Sequence, residues 1–296
     1  MRGVPHRLSK GNLVVDVVPE VGGGIARFAY ADRPVFARGL GPPAAVGGPG
    51  QLACFPLVPY SNRIAHGRLP TPRSGTVLAP LPGYAPHPLH GLGWQRTWAV
   101  ASATADALTM THAHRADAHW PFDYRARQTL ALGDGTLTMR IALCNDGAAP
   151  MPAGIGIHPF FPATPRAALT TALADIWRAD AEVLPTHREP LPAALDFTAG
   201  RELAGTGLDN CFGGWSGRAT LAWPELGLAL AIEASAALGT LVIYTPPAGT
   251  FFCVEPVSHL NNGFQLAAAG IEHTGVRLLA PGETLAGEVR FTPRFA

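Results

Sequence analysis

Apolar and polar residues alternate with a period of two along most of the chain. In Tyr124–Leu132 (YRARQTLAL), Tyr124, Ala126, Leu130 and Leu132 fall on one face and Arg125, Arg127 and Thr129 on the other. Thr136–Cys144 (TLTMRIALC) sets Leu137, Met139, Ile141 and Leu143 against Thr136, Thr138 and Arg140. Between them lies Gly133-Asp134-Gly135, a turn tolerant of positive φ, so the stretch predicts a β-hairpin. Further strands are predicted at 13–18, 219–223, 226–233, 240–244 and 251–255. A last pair, 276–279 and 285–292, is joined across the turn dipeptide Pro281-Gly282. Helical periodicity is confined to one short candidate, Thr171–Ala181.

Many short strands without interleaved helices predict an all-β chain, a large antiparallel β-sandwich. The segment Phe161–Pro224, irregular and rich in Pro and Gly, reads as long loops over one sheet. With no repeat and no linker, residues 1–296 are expected to form one domain.

Composition adds constraints. The chain is 47% hydrophobic and only 15% charged, which supplies a core and no charge excess to keep it unfolded. Gly 34 and Pro 29 suit a fold rich in turns without reaching the level of low-complexity disorder. A net charge of +1 with no Lys/Arg run argues against a nucleic-acid partner. Cys54, Cys144, Cys211 and Cys253 form no C-x-x-C pair and are expected to be free thiols. The opening MRGVPHRLSKGN has no apolar signal stretch. The apolar run Leu226–Tyr244 is broken by Glu233, Ser235 and Gly239, so no membrane span is expected and the cytoplasm is the default compartment.

Five stretches set an ionisable or polar residue among Pro, Gly and apolar neighbours: PLVPYSNRI (56–64), HPLHGLGW (87–94), GIGIHPFF (154–161), LDNCFGGW (208–215) and FCVEPVSH (252–259). Each has an ordinary explanation. Arg63 could be a surface cation, His158 a hydrogen-bonded structural histidine, and Asp209 a turn former. His87 and His90 have HxxH spacing, but Pro88 opposes the helix a zinc pair needs, so no metal is expected. Glu255 is harder to dismiss, because an unpaired carboxylate ending an apolar strand needs a partner or a task.

Together, Asn62-Arg63-Ile64, Leu89-His90-Gly91 with Trp94, His158-Pro159-Phe160-Phe161, Asp209 and Glu255-Pro256 occur in the order found in the aldose 1-epimerases, and the chain resembles that family from about Gly22 to Phe291. The closing LLAPGETLAGEVRF (278–291) resembles the family's last hairpin. The resemblance implies a galactose mutarotase-like supersandwich with its site over one concave sheet, no cofactor and no metal. It implies a free monosaccharide as substrate. Carried over position by position, Glu255 is the general base at the anomeric hydroxyl and His158 the general acid at the ring oxygen. Asn62, Arg63, His90 and Asp209 bind the sugar. Anomer interconversion needs only such an acid and base on two oxygens, each typically worth about 10²–10⁴-fold.

Two departures bear on the choice of sugar. Phe160 stands where many members have Tyr, and His66 where a Gly is usual. The hexose-6-phosphate epimerases differ at the first motif, so PLVPYSNRI favours an unphosphorylated sugar. The competing readings are a non-catalytic sugar-binding sandwich, with Trp94, Trp120, Trp215 and Trp223 as stacking surfaces, and a glycosidase using Asp209 and Glu255.

Overall fold

The computed structural model describes residues 4–37, 51–70, 76–247 and 249–296. Its first strands are β1 (His6–Lys10), β2 (Leu13–Val18), β3 (Gly24–Tyr30), β4 (Arg33–Pro34) and β5 (Cys54–Leu57). Next come β6 (Ala99–Ala103), β7 (Ala107–His114), β8 (Tyr124–Gly133), β9 (Thr136–Asn145), β10 (Met151–Ala153) and β11 (Gly156–Pro162). They are followed by β12 (Ala168–Thr171), β13 (Asp175–Ala179), β14 (Pro185–Pro190), β15 (Arg201–Glu202), β16 (Asp209–Gly213) and β17 (Arg218–Trp223). The last are β18 (Leu228–Ala234), β19 (Thr240–Tyr244), β20 (Phe251–Val257), β21 (Arg277–Leu279) and β22 (Thr284–Phe295).

These strands build two large antiparallel sheets. One runs β1-β2-β3-β5-β11-β20-β19-β16-β13-β14, with β4 attached to β3; the other runs β15-β12-β17-β18-β22-β9-β8-β7-β6. Apolar residues facing inward from both fuse into one core, among them Phe28, Ile157, Ile243 and Val254 from the first sheet and Met139, Leu230, Val289 and Phe291 from the second. The antiparallel sandwich expected from the alternation is the fold observed. No helix among the described residues is long and apolar enough to cross a membrane.

The β8–β9 hairpin pairs without a break from Tyr124↔Asn145 to Gly133↔Thr136. Asp134 (φ 52) and Gly135 (φ 72) both take the left-handed conformation that a two-residue hairpin loop requires. Gln128 interrupts the apolar face of β8. It is fully buried and donates to the Gly23 carbonyl at 3.0 Å, tying the two sheets together.

Three expectations are corrected. Thr171–Ala181 is not helical: Asp175–Ala179 is β13, because Asp175 and Trp177 face one side of a sheet and Ile176 the core. The α-helix found is α1 (Gly263–Ala268), over an Ala-rich stretch. Phe161–Pro224 is not loop over one sheet, since it supplies β12 to β17 to both sheets. Finally, β21 and β22 do not form a hairpin. The turn at Pro281-Gly282 is present, with Gly282 at φ 80, but β21 pairs with β10 while both edges of β22 are taken by β18 and β9.

Candidate active site

The site lies on the outer face of the larger sheet, over its central strands. In β5, β11, β20, β19 and β16, every second side chain points away from the sandwich core. There Phe55, Trp94, Phe160, Trp177, Cys211, Val242 and Cys253 form a second, smaller cluster. Polar groups are set into this apolar floor.

The pairing of β11 with β20 fixes the central geometry. Gly156 pairs with Val257 and Phe160 with Cys253, and the same register carried through the interval sets His158 opposite Glu255. Pro159 and Pro256 lie inside that interval. Neither can donate a backbone hydrogen bond, so the ladder is interrupted where the two functional side chains face each other. His158 Nε2 lies 3.4 Å from Glu255 Oε1. That is longer than the ~2.7–2.9 Å of a tight charge-assisted hydrogen bond. Glu255 is only 3% exposed and its second oxygen, Oε2, is buried without a partner. Burial, and next the nearby Asp209 carboxylate, push the Glu255 carboxyl well above the usual range, with Arg63 opposing.

The His158 ring is held flat on Phe160 (centroids 4.6 Å apart, planes 21° apart) and against Phe55 at 4.6 Å. His90 meets it edge-on at 5.0 Å. His90 Nδ1 accepts the Asn62 backbone N–H at 3.1 Å, which leaves its ring hydrogen on Nε2. Burial first, then His158 and Arg63, lower the His90 pKa well below its usual value, so the ring is neutral and offers one N–H.

Arg63 follows from a loop clamped on all sides. Asn62 takes φ 61, and its Oδ1 accepts from both the backbone N–H and the guanidinium of Arg63, at 3.0 and 3.1 Å. Asn261 Oδ1 accepts the same Arg63 N–H at 3.1 Å, and Asn262 Oδ1 accepts from Ala65. Asp209 begins β16, half-buried, and its carboxyl is raised by desolvation and lowered by Arg63. The six residues expected from the sequence, Asn62, Arg63, His90, His158, Asp209 and Glu255, therefore meet in one place. Asn62 has its carbonyl oxygen committed to Arg63, and lines the Asp209 end of the cleft with its body.

That end is narrow, with about 10 Å³ open. The tip joining β13 to β14 closes it: Asn261 donates to the Val183 carbonyl, and His87 Nε2 lies 3.3 Å from Glu182. The HxxH pair diverges, since His87 Nδ1 accepts from His66 and His90 turns toward His158. The set of possible metal ligands found among the described residues is His158, Cys253 and Glu255, whose donor atoms lie within 4.8 Å of one another. An ion bound there would take up both His158 and Glu255.

Comparison with known proteins now decides the affiliation. The family model for aldose 1-epimerase matches residues 6–292. The chain belongs to the aldose 1-epimerase family. It is 31% identical over 292 residues to the uncharacterized protein YphB of Escherichia coli K12, covering 96% of this chain and 97% of that one. A crystal structure of a putative aldose 1-epimerase from E. coli K12 superposes with a TM-score of 0.88, at 29% identity over 99% of both chains. A galactose mutarotase-like protein from Clostridium acetobutylicum shares the fold, with a TM-score of 0.83 at 16% identity over 98% of this chain and 95% of that one.

Both departures from the aldose 1-epimerase pattern can be placed in the structure. His66 takes φ 50, a conformation glycine adopts without strain, and its exposed ring packs on His87 at 4.8 Å. Phe160 supplies the ring on which His158 lies. Sequence reasoning missed Phe55 and Trp177, whose only signal is period-two placement, and the clamp residues Asn261 and Asn262. It also left His259 unassigned. That ring accepts the Ser61 N–H at Nε2 (3.0 Å) and sits 2.7 Å from the Leu260 carbonyl through Nδ1; burial lowers its pKa to about 4. Gly154 makes room for it, since a Cβ there would lie 1.9 Å from the ring. Of the tryptophans nominated as stacking surfaces, Trp120, Trp215 and Trp223 belong to the sandwich core, while Trp94, also buried, lies in the floor of the site against Phe55 and His90.

Proposed function

We propose that this chain, acting as one domain, interconverts the α and β anomers of a free aldose by acid–base ring opening. The observation that carries the reading is the buried His158–Glu255 pair, held across two strands with one carboxylate oxygen unsatisfied. Glu255 takes the proton of the anomeric hydroxyl as His158 gives one to the ring oxygen and the bond between the anomeric carbon and ring oxygen breaks. The open-chain aldehyde turns about its first carbon–carbon bond. Closure with the proton transfers reversed gives the other anomer.

A carboxyl raised by burial is a stronger base than a solvated one, and a base works best with its pKa near the working pH. The neutral His90 Nε2–H donates to a sugar oxygen, Arg63 does the same with charge, and Asp209 accepts from a hydroxyl. Arg63 faces two carboxylates, Asp209 and Glu255. That balance favours an uncharged sugar over a phosphate ester, and a mutarotase of free aldoses over a hexose-6-phosphate epimerase. No step draws on a cofactor or metal, so turnover is expected to survive chelation.

The test is exchange NMR or polarimetry on a panel of free aldoses and their 6-phosphates. Faster interconversion of at least one free aldose, exceeding its phosphate ester in competition, is expected. Sugar binding without any acceleration would replace this reading with a non-catalytic binding module.

A further inference from the structure

The acid–base pair has a third neighbour that the proposed reaction does not use. Cys253 stands two residues before Glu255 on β20, so the thiol and the carboxyl project from the same face of the sheet. On the adjoining strand Cys253 pairs with Phe160, two residues after His158. One donor atom from each of His158, Cys253 and Glu255 lies within 4.8 Å of the other two, and all three residues are buried.

The spacing suits a shared ion better than a direct bond. His158 Nε2 and Glu255 Oε1 are 3.4 Å apart, too far for a tight charge-assisted hydrogen bond. Two donors of one tetrahedral zinc, each about 2.0–2.1 Å from the metal, stand about 3.3 Å apart. A thiolate at about 2.3 Å from the same ion stands about 3.6 Å from them, so Cys253 joins by a movement of about 1 Å. Nitrogen, sulfur and oxygen together select a borderline ion such as Zn²⁺ over Mg²⁺ or Ca²⁺, which take oxygen ligands. Charge agrees with this. A thiolate and a carboxylate cancel Zn²⁺, so a site in an apolar floor is neutral when filled. Glu255 Oε2, buried without a partner, is a carboxylate oxygen that no protein group occupies. His90 does not join the set, because its Nδ1 accepts the Asn62 N–H and its Nε2 carries the ring hydrogen.

We propose that His158, Cys253 and Glu255 form a zinc site whose occupation switches the reaction off. The ion takes the Nε2 lone pair of His158 and an oxygen of Glu255, and the Cys253 thiol proton leaves to solvent as the sulfur binds. Neither member of the pair can then pass a proton to or from a sugar. Chelation leaves turnover intact, and added zinc removes it. The ion site rests on ligand geometry alone; its effect on turnover rests on the acid–base reading above.

The experiment titrates the protein with Zn²⁺ by calorimetry and with Co²⁺ by absorption, in wild type, Cys253→Ala and His158→Asn. Wild type is expected to bind one ion per chain, and Co²⁺ to give the near-ultraviolet band of a cobalt-bound thiolate. Cys253→Ala should abolish that band. It should weaken zinc by more than about 100-fold, since changes beyond the ligands themselves already cost about 10–100-fold. His158→Asn should weaken zinc to a similar degree and keep the band at higher Co²⁺. Anomer exchange by wild type should fall in proportion to zinc occupancy and return with EDTA, while Mg²⁺ and Ca²⁺ leave it unchanged. Absence of the band in wild type, its survival in Cys253→Ala, or undiminished zinc affinity in both variants overturns the site. Turnover that continues with zinc bound overturns the switch. If the band appears but no sugar is turned over even without metal, the zinc site stands and the acid–base reading fails.

Discussion

The β8–β9 hairpin and the β11–β20 pair are both antiparallel strand pairs in one sandwich, built under opposite demands. The hairpin joins neighbours in sequence, pairs continuously, and turns on two residues chosen for positive φ. The second pair joins distant segments. Its ladder is interrupted at the prolines following His158 and Glu255, and it buries an ionisable carboxyl with an unsatisfied oxygen. Regularity serves stability in one, and its local absence leaves the other two side chains to face a ligand. In this fold the proposed site occupies a strand pair whose ladder is broken by two prolines.

The sharpest way to break the comparison is to remove the chemistry and keep the shape. Glu255→Gln is nearly isosteric and can still accept a hydrogen bond, but it takes no proton. Its kcat is expected to fall about 10²–10⁴-fold with the fold intact, and His158→Asn to fall similarly. Under the proposed single exchange, the double variant should be far less impaired than the product of the singles. Near-normal turnover of folded Glu255→Gln in an anomer-exchange assay would refute the assignment.

Asp209→Asn probes how the environment tunes the base. Its KM should rise about tenfold through loss of a charged hydrogen bond. Asp209 raises the Glu255 carboxyl, so removing that charge lowers it. The acid limb of the kcat profile, where Glu255 gains a proton, should therefore move to lower pH. An unmoved limb would show that the two carboxyls do not sense each other.

A reciprocal effect is expected on stability. Burial raises the folded Glu255 pKa above its unfolded value, so folding favours the neutral form. The penalty is absent below the ordinary carboxylate range of about 4.3 and appears as pH rises through the folded value. Glu255→Gln should thus raise Tm by a few degrees above that value and lose the gain at low pH. In the hairpin, Gly135→Val places a β-branched side chain at φ 72, at a cost of about 1–2 kcal/mol. Calorimetry should find Tm lowered by a few degrees with kcat unchanged. A loss of activity there would mean that the hairpin is coupled to the site.

The same contrast explains what the sequence could reveal. The hairpin is legible because its alternation, turn residues and partner lie within one short stretch. His158 and Glu255 stand out as ionisable groups before prolines among apolar neighbours, yet nothing local says that they oppose each other. That follows from a register between remote strands. Thr171–Ala181 misleads because its alanines favour helix on their own, while pairing to β14 and β16 overrides the preference. His259 and Asn261 escape notice because their partners, Ser61 and Arg63, are distant in the chain.

The placement of β22 has a consequence for how the protein is made. This strand, last in order of synthesis among those described, does not join an edge but fills the middle of the nine-stranded sheet, between β18 and β9. Until it emerges, β9 and β18 face each other across a gap, each with an open row of backbone donors and acceptors. Open edges of that kind recruit other strands. Shortening β22 is therefore expected to expose the facing edges of β9 and β18 and to promote self-association.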